Sequence, residues 1–310
     1  MPRAPLRDFA IVDAHHHLWD LTANHHPWLS DNVKPRRFGN YAAIRTNYRL
    51  ADYQRDTRGF KIAASVCVEA SAAGEPAREV AWLDQETLRD PAPHAIVGAA
   101  ELLQGNPDAT IEACLRVPSF RGLRIPAHWL GHASFDGASQ PGLLASPAAA
   151  WLASLMSRHD LVLDVSLFHT QFGELLALAR AAPGLRIVVN HCGMPLHLDL
   201  NAPGSREEQL SAWRRGIAEL AGASNISIKL SGLWMVGREL TADEIRPVLE
   251  TCLDAFGPDR CMFGSNFPVD RLCISFSKML ERYDEALVGL SGGDVSQIFR
   301  RTAEVTYRLT

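Results

Sequence analysis

Short apolar or β-branched runs recur along the chain at 11–14, 61–69, 95–101, 120–125, 161–167, 185–190, 225–231 and 260–264, with helix-like sequence between them. Alternating strand and helix signals predict a parallel sheet. Eight such units in 310 residues predict an α/β fold, a single (β/α)8 TIM-type barrel, in preference to a doubly wound sheet. No linker or low-complexity segment divides the chain, so 1–310 is one predicted domain. Pro141-Gly142 and Pro183-Gly184 fall between elements, where turns belong. One connection is too long for a plain βα link: 18–60 follows the first run and carries Trp19, His25, His26, Trp28, Arg36, Arg37 and Tyr41. Loops leaving the C-terminal ends of barrel strands build the site in this architecture. The extended loop after strand one is therefore expected to cover the barrel mouth and hold a substrate.

Period-two alternation along each run sorts side chains between the barrel axis and the outer helices. It predicts Ser65, Cys67 and Glu69 inward with Val66 and Val68 outward, and Asp164 and Ser166 inward on the fifth run. On the sixth run it predicts Ile187 and Val189 inward, and on the seventh Ser227, Lys229 and Ser231. Arg124, His191 and Asn266 end or follow the fourth, sixth and eighth runs. The expected inner wall is unusually polar at one end. Burying such groups costs ~1–3 kcal/mol each if they lack partners, so the ring is either mutually bonded or binds something. Glu69 and Lys229 form an interior ion pair that locks the barrel, or else face a ligand. A guanidinium at a strand end can hold a carboxylate bidentately, which makes Arg124 a candidate substrate anchor. Trp28 belongs to the long loop, and His128, Trp129, His132 and His169 lie on neighbouring ones, where they touch ligand or cap the barrel.

The first run ends in His15-His16-His17, and alternation sends His15 and His17 to one face and His16 to the other. Two imidazoles side by side suit a divalent metal or a hydrogen-bonding grip on a polarised carbonyl; a His-rich surface loop is the bland alternative.

Composition narrows the partners. A hydrophobic fraction of 47% supports a large core. A formal net charge of -4 provides no broad basic surface, which argues against nucleic acid and for a small polar substrate. No stretch approaches the length needed to span a bilayer and the first ten residues lack an apolar signal core, so no membrane partner and a cytoplasmic location are expected. The six cysteines form no CxxC pair and are expected to be reduced and mostly buried. Oligomeric state is not readable.

The ordered set of motifs resembles the amidohydrolase superfamily, specifically the amidohydrolase-2 group with its sugar-acid lactonases and 2-pyrone-4,6-dicarboxylate lactonase. The likeness runs from Val12-Asp13-Ala14-His15-His16-His17-Leu18-Trp19-Asp20 through His26-Pro27-Trp28-Leu29, Cys67-Val68-Glu69-Ala70 and Gly122-Leu123-Arg124. It continues through Asn190-His191-Cys192-Gly193-Met194-Pro195 and Lys229-Leu230-Ser231-Gly232 to Met262-Phe263-Gly264-Ser265-Asn266-Phe267-Pro268. The resemblance implies a barrel hydrolase in which His15 and His17 match the HxH pair and His191 the strand-six histidine. One departure matters. The family usually has Asp in the Gly-Ser-Asp-x-Pro motif, where it activates water, and this chain has Asn266, which can neither take that proton nor supply an anionic ligand. No lysine matches the strand-four residue that bridges two metals, so at most one ion is implied, zinc in first place, and some lactonases of the group are metal-independent.

These residues lead to a lactonase expectation: His15, His17 and His191 polarise the ring ester carbonyl directly or through one zinc ion, while Arg124 and the long loop orient the ring. Candidate substrate contacts are Trp28, Glu69, Arg124, His128, His169 and Lys229. The base is either Asp270 or a metal-bound hydroxide that Asn266 orients; Asp270 can also be a plain loop aspartate. A decarboxylase or amidase of the same superfamily, or a binding barrel that has lost its base at Asn266, are the alternatives.

Overall fold

The computed structural model describes residues 3–90, 92, 94–100 and 107–309. Its eight strands are β1 (Ala10–His16), β2 (Lys61–Val68), β3 (His94–Ala99), β4 (Phe120–Pro126), β5 (Val162–Ser166), β6 (Arg186–Val189), β7 (Ile226–Leu230) and β8 (Cys261–Phe263). They pair in parallel in sequence order, one sheet from β1 to β8. The cylinder closes where Asn266 N–H donates to the His15 carbonyl at 2.7 Å and His17 N–H to the Phe267 carbonyl at 2.8 Å. The predicted third strand extends to Glu101, which lies outside the described residues.

Helices Pro76–Thr87, Pro147–Arg158, Phe172–Ala181, Arg206–Ala221 and Ala242–Phe256 are among those that return the chain between strands. Their starts are written locally. Ser146 precedes Pro147 and accepts from Ala149 N–H, and Ser205 accepts from Glu208 N–H in the same way. Thr241 and Glu244 form a reciprocal capping box at the head of Ala242–Phe256. No described helix is long and apolar enough to cross a membrane. All six cysteines are free thiols, five of them buried.

Two side-chain assignments need correcting. Ala64, Val66 and Val68 share one buried cluster with Val12, Ala95, Val162, Val188 and Met262, residues from strands across the barrel from one another, so Val66 and Val68 point to the axis. Cys67 instead packs among the helix-facing core, and Ser65 bonds His16 and His94. Ile187 and Val189 likewise face the helices, with Val188 inward. The reason is that this part of the barrel is filled by small aliphatic side chains, so strands apolar on both faces carry no signal of parity. A register shift between Asp13 and His16 adds a bulge in β1. It lets Ala14 and His15 both reach the interior before His16 turns out onto Tyr53, with ring centroids 4.1 Å apart.

The 18–60 connection folds into helices Pro27–Ser30 and Leu50–Asp56 and an aromatic group of Trp19, Trp28, Phe38, Tyr41 and Tyr48. Trp28 Nε1 and His26 Nδ1 both donate to the Ala70 carbonyl, which ties this segment to the end of β2.

Candidate active site

The C-terminal ends of the strands surround a cavity of about 590 Å3. His17, Arg124, Ser166, His191 and Asn266 line it from the barrel, and Trp28, Lys34, Arg36 and Phe38 from the long connection. His128 and Asp136 come from the loop after β4. The expected covering role of 18–60 therefore has a structural counterpart.

His15, His17 and His191 come together as the spacing predicts. The His15 ring centroid lies 5.0 Å from that of His17 and 4.5 Å from that of His191. Each has a different second contact. His17 Nδ1 donates to the carbonyls of Val68 at 2.9 Å and Glu69 at 3.0 Å, which leaves its Nε2 as a lone pair. His191 Nδ1 is 2.9 Å from Ser231 Oγ. His15 Nδ1 faces the Lys229 ammonium at 3.4 Å, and its buried Nε2 has no partner among the described residues. Since an ammonium only donates, the proton of a neutral His15 belongs on Nε2. Burial holds all three imidazoles below the ordinary histidine range. His17 is brought down to about 4 with the Arg124 guanidinium adding to the shift, and Lys229 does the same for His15. They are neutral at pH 7.

Backbone strain marks the turn that bears His191 and the position of Asn266. His191, Cys192 and Met194 have φ of 58°, 54° and 47°, and Asn266 has φ 56°. Non-glycine residues in this region cost of order 1–3 kcal/mol each and persist where surrounding contacts over-determine them. Here Met194 N–H donates to the His191 carbonyl at 2.7 Å, and Trp213 Nε1 donates to the Cys192 carbonyl at 2.8 Å. Gly232, at φ 62° in the loop after β7, packs against the His191 ring: a Cβ there would lie 2.4 Å from His191 Nδ1.

Lys229 is fully buried and ion-paired with Asp164, not with Glu69. Tyr307, from helix Thr302–Tyr307, donates its hydroxyl to the other Asp164 oxygen at 2.6 Å and lies 5.1 Å from the Lys229 ammonium over its ring. Burial lowers the Lys229 pKa, and the Asp164 carboxylate opposes that shift. Glu69 pairs with Arg124 instead, receiving Nε at 2.6 Å while its carbonyl receives Nη2 at 3.0 Å. Arg124 thus spends much of its fork on the protein, with Nη1 left for a ligand. The expected Glu69–Lys229 pair is absent because the barrel supplies each with a nearer partner.

Asn266 donates Nδ2 to Asp270 Oδ1 at 2.8 Å, so its own amide oxygen is the atom left to face the cavity. Asp270 lies behind it and also receives Trp234 N–H at 3.3 Å. Burial pushes its carboxyl up to about 7, opposed by these hydrogen bonds and by Arg37. His128 lines the cavity, half-buried, with its pKa held down to about 3 by desolvation. His169, Lys229, Glu69 and His15 do not line it; His15 and Lys229 lie beneath, Glu69 behind Arg124 and His169 half-buried on another loop. Asp13 was not singled out by sequence reasoning. It accepts from His15 N–H, Ser265 N–H and Oγ and the Tyr53 hydroxyl, and so fastens β1 to the turn bearing Asn266. A lone acid in an apolar strand was its signal. Tyr307 had none.

The three imidazoles do not fit a shared metal ion. A ligating His15 would present a lone pair at Nε2, which the Lys229 contact assigns a proton, and Asn266 supplies no charge. Among the described residues no group of three or more His, Cys, Asp or Glu side chains is placed to hold one.

The amidohydrolase family model matches residues 12–309. Protein y4mH of Sinorhizobium fredii is 33% identical over 305 residues, 98% of this chain and 100% of its own length. An L-fucono-1,5-lactonase of Burkholderia multivorans is 26% identical over 309 residues, 96% of each chain. A crystal structure of an amidohydrolase from Burkholderia multivorans with bound zinc matches with a TM-score of 0.79 at 23% identity, covering 97% of this chain and 100% of that one, and so bears on the fold. Members of this superfamily typically use a divalent metal, which makes the donor set described above a departure within it. With the match spanning nearly its whole length, the chain belongs to the amidohydrolase family and is an enzyme of that family.

Proposed function

We propose that the protein hydrolyses a small polar lactone by attack of water on the ring ester carbonyl. The observation that carries this reading is His17. Its Nδ1–H is pinned between two backbone carbonyls, so a neutral imidazole presents a fixed Nε2 lone pair to a cavity also lined by the Arg124 guanidinium. A base held in one tautomer by a third group is the arrangement general-base catalysis requires. Water donates one hydrogen to His17 Nε2 and the other to the Asn266 amide oxygen, which orients its lone pair toward the carbonyl carbon. Arg124 Nη1 and the field of the buried Lys229 ammonium stabilise the developing oxyanion. Collapse of the tetrahedral adduct breaks the ring C–O bond. The proton on His17 passes to the ring oxygen, and the product is a hydroxy acid that ionises in water. No step passes through a metal.

Lactonase-named relatives support the same reaction class, and L-fucono-1,5-lactone is a suitable first compound. The test is a panel of sugar-acid and dicarboxylate lactones, followed by proton release, before and after exhaustive chelation. One acid released per lactone opened, with turnover unchanged by chelation, is the expected result. Carbon dioxide or ammonia as product would replace this reading with a decarboxylase or amidase. Thermal stabilisation by lactones with no hydrolysis at any pH would make the protein a binding barrel.

A further inference from the structure

The long connection carries a charge that the protein does not neutralise. Arg37 pairs with Asp199, Arg45 donates to the carbonyls of Leu29 and Asp31, and Arg49 pairs with Glu86. Arg36 is different. Its guanidinium lies 6.0 Å from the Trp28 ring centroid, lines the cavity, and makes no ion pair among the described residues, while its Nε is buried without a hydrogen-bond partner. A guanidinium on a cavity wall with no anion of the protein beside it is placed to meet one from outside the chain. Lys34 lines the same wall and has no ion-pair partner among the described residues. The acid on the cavity wall, Asp136, spends Oδ1 on Leu130 N–H at 2.6 Å. With Arg124 already paired to Glu69, and Asp136 able to offset only one of the two cations Lys34 and Arg36, net positive charge remains on the connection side of the cavity.

Resting on the lactonase reading, we propose that Arg36 is the specificity-determining residue for a lactone bearing a carboxylate remote from its ester, with that carboxylate bound by Arg36 and Lys34 over the Trp28 ring. The cavity is several times the volume of a bare six-membered lactone, which leaves room for such a substituent. A guanidinium presents two parallel N–H groups to a carboxylate, and the cation–π contact with the Trp28 indole favours a position for that fork on the cavity wall. A carboxylate fits better than a phosphate. Residues 33–36 form no helix or strand whose amide groups could converge on a dianion, and the subsite offers a single guanidinium.

The test compares two lactones with the same ring, one carrying a free carboxylate and the other its primary amide, in the parent and in Arg36→Ala and Arg36→Lys. The parent is expected to favour the carboxylate at least tenfold in kcat/KM, Arg36→Ala to lose most of that preference through KM, and Arg36→Lys to keep part of it. Equal kcat/KM for the two compounds in the parent, or an undiminished preference in Arg36→Ala, overturns the proposal. So does a phosphorylated lactone preferred over the carboxylate. If neither lactone is opened, the reaction assignment fails, and the subsite is judged separately by calorimetry with the tetrahydropyran carboxylate corresponding to the substrate. Binding weakened at least tenfold in Arg36→Ala upholds the subsite, and equal binding removes it.

Discussion

Asn266 and Asp270 are joined by a hydrogen bond in which the amide nitrogen donates to a buried carboxyl whose pKa is raised to about 7. The carboxyl lies four residues on from Asn266 and one layer deeper, held against its amide and off the cavity wall.

That layer has a pH signature. The folded-state pKa of Asp270 is above its unfolded value of 3.8, so the folded protein binds the extra proton between those values and loses stability as pH rises from about 4 to about 7. Asp270→Asn removes this penalty. Its melting temperature relative to the parent is expected to climb between pH 4 and pH 8, and an inflection near pH 7 in the parent's kcat is expected to vanish. A constant difference in melting temperature across that range would show that Asp270 does not titrate there.

His16 and His17 are adjacent in sequence and opposite in role. His16 Nε2 is 2.8 Å from Ser65 Oγ and its ring stacks on Tyr53, away from the cavity. His16→Gln is expected to cost about 1–3 kcal/mol in denaturant unfolding and to change kcat less than threefold. His17→Gln is expected to lower kcat by roughly 100-fold or more with little change in stability. In the parent, kcat/KM should show a second fall as pH drops toward 4, below the inflection near pH 7 assigned to Asp270, because His17 must be unprotonated to act and burial keeps its pKa near that value. Comparable kcat losses in the two variants would remove His17 from its role.

Lys229 and Asp164 separate stability from activity. Lys229→Met alone strands a buried carboxylate and is expected to destabilise by about 3–5 kcal/mol. Combining it with Asp164→Leu should recover much of that loss without recovering turnover, since the ammonium beside His15 is still missing. Recovery of both in the double variant would show that the pair is a structural lock alone.

Gly232→Ala tests the close packing of the loop after β7 against the His191 ring. With a Cβ placed 2.4 Å from Nδ1, either the ring or the backbone must shift, and kcat is expected to fall about 10- to 100-fold while the far-ultraviolet circular dichroism stays unchanged. Parent-like kcat would mean the position of this imidazole is not critical.

Much of the architecture was legible. Every strand, the single sheet and the covering connection follow from run length and spacing, because a buried parallel sheet writes itself as short apolar segments. So does the meeting of His15, His17 and His191. Parity was not legible where both faces are apolar, as in Ile187-Val188-Val189, and it failed at Val66-Cys67-Val68 for the same reason. Pairing was not legible either. The sequence shows Glu69, Arg124, Asp164 and Lys229 as inward polar groups, but which carboxylate meets which cation depends on strand neighbours and on Tyr307, which arrives from the other end of the chain.

Asp13 sits where the first stave of the cylinder meets the last. Because the carboxylate grips the very turn that presents Asn266, mechanical slack at this joint becomes misalignment of the Asn266 amide on the cavity wall. Substitutions at Ser265 or Tyr53, neither of which lines the cavity, would thus be felt as lost turnover well before the barrel came apart.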